Sequence, residues 1–272
     1  MTSTLTAAAI QMVSGDDCSA NLNAAARLVA EAAARGAGFA ALPEYFYLMP
    51  EDETARLRLA EPFGVGPIQT SLAGLAHEYG LWLLAGSVPL QSKDSGKFYN
   101  SSLLFDPTGR CAARYDKIHL FGFDNGIEHY READTMSAGD TVTSADTPWG
   151  VTRLSICYDL RFPELYRQDP APTLITAPAA FTYTTGKAHW ELLLRARAVE
   201  NLAFVVAPGQ GGVHPGGKRT FGHSLIVDPW GEVLASCEDG EGIALATLDF
   251  SRQADWRARL PALQHRRLGR TP

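Results

Sequence analysis

Two patterns of apolar and polar positions alternate along the first part of the chain. Short apolar runs are typical of buried strands, and segments whose apolar residues recur every three or four positions are typical of helices packed against them. The patterns predict, in order, a strand at residues 6–13, a helix over 21–35, a strand at 39–42, a helix from Pro67 to Gly80 and a strand at 81–88. This alternation predicts a sheet covered by helices.

Residues 98–118 depart from that rhythm, because two strand-like runs meet at Asp-Pro-Thr-Gly, residues 106–109, and predict a hairpin. The second half then resumes the alternation. It predicts a strand at 151–157, a short helix at 163–168, a strand at 174–177, a long helix over 187–201, a strand at 203–207, a hairpin of runs 221–228 and 232–236 around Pro-Trp-Gly, and a last strand at 242–249.

The two halves are therefore similar in style, each bringing strand-helix-strand units first and a hairpin after. The chain has no Pro/Ser-rich linker between them and no literal sequence repeat. We expect one α/β domain over residues 1–272, built from two pseudo-similar halves.

Charge and composition narrow the class of protein. The 272 residues include 24 Lys and Arg against 30 Asp and Glu, a formal net charge of −6, which disfavours nucleic acid as a partner. Hydrophobic residues make up 46% and charged residues 20%, enough for a substantial core. Because the sequence has neither an export signal nor an apolar run of about 20 residues, we expect a cytoplasmic protein with no membrane partner.

One of the four cysteines has a position suited to chemistry. Cys157 ends an apolar strand and precedes a predicted turn into a helix, whereas Cys18, Cys111 and Cys237 have the ordinary interpretation of packing residues. Ligands bind at the carboxyl ends of strands in α/β folds, and a nucleophile on a strand-to-helix turn is exposed beside free backbone N–H groups. A packed core cysteine is the alternative for Cys157.

Two charged residues occupy comparable places. A thiol with an ordinary pKa is mostly protonated at neutral pH, so a cysteine nucleophile needs a base or a cation nearby. Glu44 follows the apolar strand at 39–42, and Lys117 ends the first hairpin. Each alone could be a solvated charge at a strand end, but three such residues, each ending a core strand, favour a shared site.

The motifs around these three residues resemble those of the nitrilase, or carbon–nitrogen hydrolase, superfamily, and more closely its Nit branch. They are Leu-Pro-Glu-Tyr at 42–45, Tyr-Asp-Lys-Ile-His-Leu-Phe at 115–121, Cys-Tyr-Asp-Leu-Arg-Phe-Pro-Glu-Leu at 157–165, Pro-Ala-Ala-Phe at 178–181, Arg-Ala-Arg-Ala-Val-Glu-Asn at 195–201, Gly-His-Ser at 222–224, Asp-Pro-Trp-Gly at 228–231 and Leu-Pro-Ala-Leu-Gln-His-Arg-Arg at 260–267. The match covers nearly the whole chain and implies a four-layer α-β-β-α sandwich.

The resemblance implies that Glu44, Lys117 and Cys157 form the catalytic triad. It also implies a second glutamate downstream of the lysine. Glu132 has the family's Glu-x-x-Thr-x-x-x-Gly-Asp context, whereas Glu128, in Gly-Ile-Glu-His, does not and is interpreted as a solvated loop residue.

The implied chemistry is hydrolysis through a thioester, with an oxyanion held by Lys117 and the backbone N–H of Tyr158. We also predict substrate contacts from Tyr45, Arg161 and Phe181. Acidic substrates require a cation, for which Arg161 or Lys187 is a candidate. No metal or other cofactor is implied.

Within the Nit branch, Arg-Phe-Pro-Glu at 161–164 and Gln-His-Arg-Arg at 264–267 are similar to the group that hydrolyses the amide of deaminated glutathione. The expected partners are a small-molecule amide and further copies of this chain, as a homodimer or higher homo-oligomer. The alternatives are ω-amidase activity on substrates such as α-ketoglutaramate, hydrolysis of N-carbamoyl compounds, and a binding protein on the same scaffold with no turnover.

One glycine-rich segment admits another interpretation. Residues 212–218 match the letters of a phosphate-binding loop, but Arg219 stands where that loop needs Ser or Thr, and the following residues predict a strand. We expect a mobile glycine-rich loop near the pocket instead.

Overall fold

Two β-sheets lie face to face, and helices cover the outer face of each. The computed structural model describes residues 2–124, 126 and 129–268. The strands are β1 (Thr4–Gln11), β2 (Phe39–Ala41), β3 (Trp82–Leu84), β4 (Val88–Gln91), β5 (Phe98–Phe105), β6 (Cys111–Asp116), β7 (Gly122–Asp124), β8 (His129–Arg131), β9 (Ser144–Thr147), β10 (Gly150–Leu154), β11 (Leu174–Thr176), β12 (Phe204–Ala207), β13 (Gly211–Val213), β14 (Arg219–Phe221), β15 (Leu225–Val227), β16 (Val233–Ser236) and β17 (Gly242–Asp249). The α-helices are α1 (Cys18–Ala34), α2 (Pro67–Tyr79), α3 (Pro163–Tyr166), α4 (Tyr183–Asn201), α5 (Phe250–Arg259) and α6 (Ala262–His265).

Among the described residues, no helix combines the length and apolarity needed to cross a membrane.

The halves share one strand plan. In the first sheet, ordered β17-β1-β2-β3-β5-β4 with β6 also paired to β5, strands β1, β2 and β3 are parallel and β5 is antiparallel to β3. In the second, ordered β16-β15-β12-β11-β10-β9, strands β10, β11 and β12 are parallel and β15 is antiparallel to β12. The predicted α-β-β-α sandwich of two similar halves is confirmed.

Burial on both faces explains why the central strands β2, β3 and β12 are apolar throughout. In β1, Ala7 and Ala9 belong to the core between the sheets, while Ala8 and Ile10 belong to the core under α1 and α2. Strands buried on both sides have near-continuous apolar runs instead of period-two alternation. The same arrangement brings the carboxyl end of β2, which precedes Glu44, close to the carboxyl end of β10, which precedes Cys157.

Two predicted strands are wrong in extent, and glycines are the reason. The segment 81–88 is divided into β3 and β4 at Gly86, whose φ is +53°. A Cβ atom there would lie 2.0 Å from the carbonyl oxygen of Pro43, so only glycine lets the chain before Glu44 pass. The segment 221–228 is likewise divided, because Gly222 and His223 both have positive φ and separate β14 from β15.

Candidate active site

Cys157 begins a short 3₁₀ helix, Cys157–Arg161, at a strained turn that follows β10. Its φ is +50°, a left-handed conformation that costs a non-glycine residue on the order of 1–3 kcal/mol. Its N–H donates to the carbonyl of Pro178 at 2.9 Å, and the residue is 8% exposed. The other three cysteines are free and only partly buried. The turn therefore presents one thiol in a nearly dry environment.

A buried carboxylate two residues later holds this turn in place. Asp159 accepts hydrogen bonds from the Ile156 N–H at 2.8 Å, from the Tyr115 hydroxyl at 2.7 Å, and from the N–H and Nδ1 of His119 at 3.1 and 2.7 Å. Tyr115 and His119 flank Lys117, so Asp159 connects the nucleophile turn to the segment that carries the cation. Sequence reasoning missed this role, although an acidic residue at the third position of a helix is a capping signal.

We expect Asp159→Asn to lower both stability and turnover. The amide turns one acceptor into a donor facing a donor, and hydrogen bonds to a charged group contribute about 1.5–3 kcal/mol. Displacement of the Cys157 turn should lower kcat by about 10- to 100-fold. Denaturant unfolding and steady-state kinetics would measure both effects.

Asp106→Asn is the matched control, since Asp106 accepts bonds from Thr108 and Arg110 at the other end of the β5–β6 hairpin. It should lower stability without lowering kcat. Wild-type kcat and an unchanged unfolding midpoint in Asp159→Asn would show that Asp159 does not hold the turn.

Glu44 follows β2 and is 1% exposed. Its Oε1 accepts hydrogen bonds from Lys117 Nζ and Asn100 Nδ2, both at 2.9 Å. Its Oε2 accepts the N–H of Ala180 at 2.9 Å, and the Cys157 thiol lies close enough to act on the pKa of this carboxyl group. The structure thus brings the predicted base near the predicted nucleophile.

Lys117, which follows β6, is fully buried between two carboxylates. Its Nζ lies 2.9 Å from Glu44 Oε1 and 2.9 and 2.8 Å from the two carboxylate oxygens of Glu132. Burial by itself would lower the pKa of this ammonium, but the charges of Glu132 and Glu44 outweigh it and raise the pKa above its usual value. Lys117 therefore stays charged across the physiological pH range.

Glu132 is held from two further directions. The Tyr45 hydroxyl donates to Oε1 at 2.7 Å, and the Phe121 N–H donates to Oε2 at 2.7 Å. The geometry places Glu132 against Lys117, as the motif match predicts, whereas its competitor Glu128 lies outside the described residues. Burial and the charge of Glu132 raise the pKa of the Tyr45 hydroxyl well above its usual value, so it remains a donor.

Protonation in the site follows from burial. Burial raises the pKa of the Cys157 thiol well above its usual range, and the charge of Glu44 adds to this against the opposing charge of Lys117. Burial likewise raises the pKa of Glu44, although Lys117 lowers it. The resting site therefore favours a protonated thiol at Cys157 over a preformed thiolate.

A cavity of about 400 Å³ opens onto these groups. Cys157, Glu44 and Glu132 line it, and so do all four residues predicted for oxyanion or substrate binding, Tyr45, Tyr158, Arg161 and Phe181. Lys187, the other candidate cation, lines a separate depression and does not line this cavity. This volume is within the range of small-molecule sites.

Cations at the cavity were largely missed by sequence reasoning. Besides Arg161, the lining includes Arg56, Arg131, Lys218 and Arg219. Lys218 ends the glycine-rich segment 212–218 and Arg219 follows it, so the prediction that this segment lies near the pocket is confirmed. These basic residues come from separate elements of the chain and share no local sequence motif, so only the tertiary fold brings them together.

Metal-binding groups are a separate question. Over residues 2–124, 126 and 129–268, no three His, Cys, Asp or Glu side chains are arranged to hold a metal ion. The cavity lining instead includes a thiol and two carboxylates, and the fully buried Lys117 ammonium, which does not line the cavity, contacts both carboxylates. A nucleophile, a base and an electrostatic stabiliser in one cluster define a class of protein, the hydrolases that use a cysteine nucleophile.

Comparison with known proteins identifies the family. The model of the carbon-nitrogen hydrolase family matches residues 6–258, and the chain belongs to this family. The deaminated glutathione amidase of Homo sapiens is 40% identical over 267 residues, which cover 96% of this chain and 81% of that protein. The deaminated glutathione amidase of Yersinia enterocolitica is 42% identical over 213 residues, 76% of this chain and 74% of that one.

The fold comparison agrees. The crystal structure of the C. elegans NitFhit protein matches with a TM-score of 0.88 at 36% identity, covering 98% of this chain and 66% of that chain. This chain thus spans slightly less than two thirds of the NitFhit chain. The resemblance inferred from the motifs is confirmed, and the protein is an enzyme that hydrolyses carbon–nitrogen bonds.

Proposed function

We propose that this protein is a cysteine-dependent amidase that hydrolyses deaminated glutathione through a thioester on Cys157. The observation that supports this most directly is the place of one carboxylate, Glu44, which bonds to the Lys117 ammonium at 2.9 Å and lies near enough to the Cys157 thiol for the two groups to act on each other's pKa. A single residue can then act as base towards the nucleophile while the neighbouring cation faces the negative charge that develops.

In the acylation step, Glu44 takes the proton of the Cys157 thiol as Sγ forms a bond to the amide carbonyl carbon. The carbonyl oxygen becomes an oxyanion held by Lys117 Nζ and the N–H of Tyr158, which has no partner inside its helix because of its position in the first turn. Each such donor contributes about 10²–10³ in rate. Protonated Glu44 then gives its proton to the departing nitrogen as the C–N bond breaks.

In the deacylation step, Glu44 removes a proton from water, whose oxygen attacks the thioester carbonyl. The C–S bond breaks, the proton returns to Sγ, and the free acid leaves. Glu132 does not touch the thiol in this scheme. It holds Lys117 in place through both of its oxygens and is itself fixed by Tyr45.

The cations at the cavity favour a substrate that carries carboxylates. Arg131 and Arg219 are exposed side chains that line the cavity, and Arg161 lies 5.6 Å from the Phe181 ring centroid in the same lining. Guanidinium groups bind carboxylates with paired hydrogen bonds. The relatives named deaminated glutathione amidase support the choice among acidic amides.

A substrate panel tests this choice. We expect kcat/KM to be highest for deaminated glutathione, lower for α-ketoglutaramate and lowest for N-carbamoyl amino acids, because differential binding of the transition state sets this ratio. Release of amine or ammonia would be followed for each compound with the same enzyme preparation. If deaminated glutathione ranked last, the substrate assignment would be wrong, although the amidase assignment would stand.

Two further features extend the proposal. Four free cysteines suit a reducing compartment such as the cytoplasm. Exposed apolar side chains on α4 and around the β15–β16 hairpin, Leu192, Val199, Trp230 and Val233, support association with a second copy of this chain.

A further inference from the structure

The hydrogen bonds to Glu44 leave one acceptor position open. A carboxylate has about four lone-pair positions. Lys117 and Asn100 occupy the two on Oε1, and the N–H of Ala180 occupies one on Oε2. The position that remains for the Cys157 thiol is therefore on Oε2.

Asn100 is the member of this set that no motif or mechanism has used. It lies in β5, is fully buried, and is absent from the cavity lining. Its backbone carbonyl accepts the N–H of Lys117 at 2.9 Å while its side-chain Nδ2 donates to Glu44. Its Oδ1 is buried with no hydrogen-bond partner among the described residues. Asn100 thus fixes Glu44 relative to Lys117. It also retains a buried amide oxygen, Oδ1, that is unfavourable for packing alone.

We propose that Asn100 is a positioning residue that occupies Oε1 of Glu44 and thereby directs the thiol proton to Oε2. This inference rests on the proposed role of Glu44 as base. With Oε1 saturated, the position at which Glu44 can accept a proton is the one on Oε2 that is left for the thiol. Without Asn100, one lone pair on Oε1 becomes free in a dry site, and Glu44 can be protonated there, which removes the base.

The charges around Glu44 determine in which direction its pKa changes when Asn100 is replaced. The titratable and charged groups acting on it are Lys117, Glu132, Cys157, Tyr45, Tyr47 and Arg56. None of them is altered by changing Asn100, so loss of a donor to the ionised form raises the pKa of Glu44. The acid limb of the pH profile of kcat/KM reports this pKa in the free enzyme, and activity falls as pH decreases through it.

The test is the pH profile of Asn100→Leu, which keeps the branched shape of the side chain and removes the donor together with the unpartnered Oδ1. We expect the acid limb to move upward by about one pH unit or more and kcat at pH 7 to fall by about 10-fold or more. KM should change by less than about threefold, since Asn100 does not line the cavity. Asn100→Ala, which leaves space for a water molecule to donate to Oε1, should shift the limb less.

Ser102→Ala is the matched control, because Ser102 is two residues along on the same strand face and its buried hydroxyl has no partner among the described residues. Its profile should equal that of the wild type. The inference about Asn100 would be overturned if both Asn100 variants kept the wild-type acid limb, or if they lost the same fraction of activity at every pH. An inactive Glu44→Gln variant would at the same time uphold the proposed function. Wild-type turnover by Glu44→Gln would instead refute the proposed function itself.

Discussion

Replacement of Cys157 by alanine is expected to abolish amide hydrolysis while the protein stays folded. The thiol is the nucleophile in the proposed mechanism, and removal of a nucleophile lowers kcat by about 10⁴-fold or more. Cys157→Ser should be nearly as impaired, because Glu44 is arranged to take the proton of a thiol, which is far more acidic than a hydroxyl. Release of ammonia or amine from a small acidic amide measures the loss, and circular dichroism checks the fold.

Cys237→Ala provides the comparison for this pair of variants. Cys237 is a free, partly buried cysteine that does not line the cavity, and burial raises the pKa of its thiol to about 11. Its variant should hydrolyse amides at the wild-type rate. Undiminished release by Cys157→Ala would mean that the enzyme does not use this thiol.

Replacement of Lys117 by alanine is expected to prevent formation of the thioester. Lys117 supplies the ammonium for the oxyanion, and a single such donor contributes about 10²–10³ in rate. Its loss also leaves Glu44 and Glu132 as neighbouring buried carboxylates with no cation between them, which raises the pKa of Glu44 and removes the base near neutral pH. We therefore expect no gain of acyl mass on Cys157 after incubation with substrate.

The exposed Lys93 serves as the control for removal of a lysine, and Lys93→Ala should acquire the acyl group normally. A normal acyl adduct in Lys117→Ala would contradict the oxyanion role. Removal of one partner of a buried ion pair also destabilises a protein, by about 3–5 kcal/mol. The unfolding midpoints of the wild type and Lys117→Ala are therefore compared, to show whether a missing adduct comes from unfolding or from the loss of the ammonium.

Local sequence patterns were sufficient for the residues that end strands. Glu44 and Cys157 each follow an apolar run and Lys117 ends a predicted hairpin, and the strand plan that brings those ends together follows from the alternation of strands and helices. Pro67 and Gly80 delimit α2 as their chemistry predicts, since proline favours the first turn and Gly80 adopts a left-handed conformation with φ of +61°.

Residues whose roles depend on contacts between distant elements could not be predicted in this way. Asn100 reaches Glu44 only because β5 pairs with β3 in the same sheet as β2, and nothing in the sequence around it signals a polar contact. The sequence pattern predicts Gly86 within a strand, yet the close approach of Pro43 requires a break there. Such positions are determined by packing across the molecule, where a short window of sequence contains no information.

The most direct test of the mechanism is to locate the acyl group during the first turnover. The wild-type enzyme would be mixed with excess deaminated glutathione, quenched in acid at successive times and digested for peptide mass spectrometry, with hydroxylamine added in parallel to capture thioesters. The proposed mechanism predicts the substrate's acyl group on the peptide that contains Cys157 and on no other cysteine peptide. Hydrolysis at full rate with that peptide unmodified at every time, and with no hydroxamate formed, would contradict it.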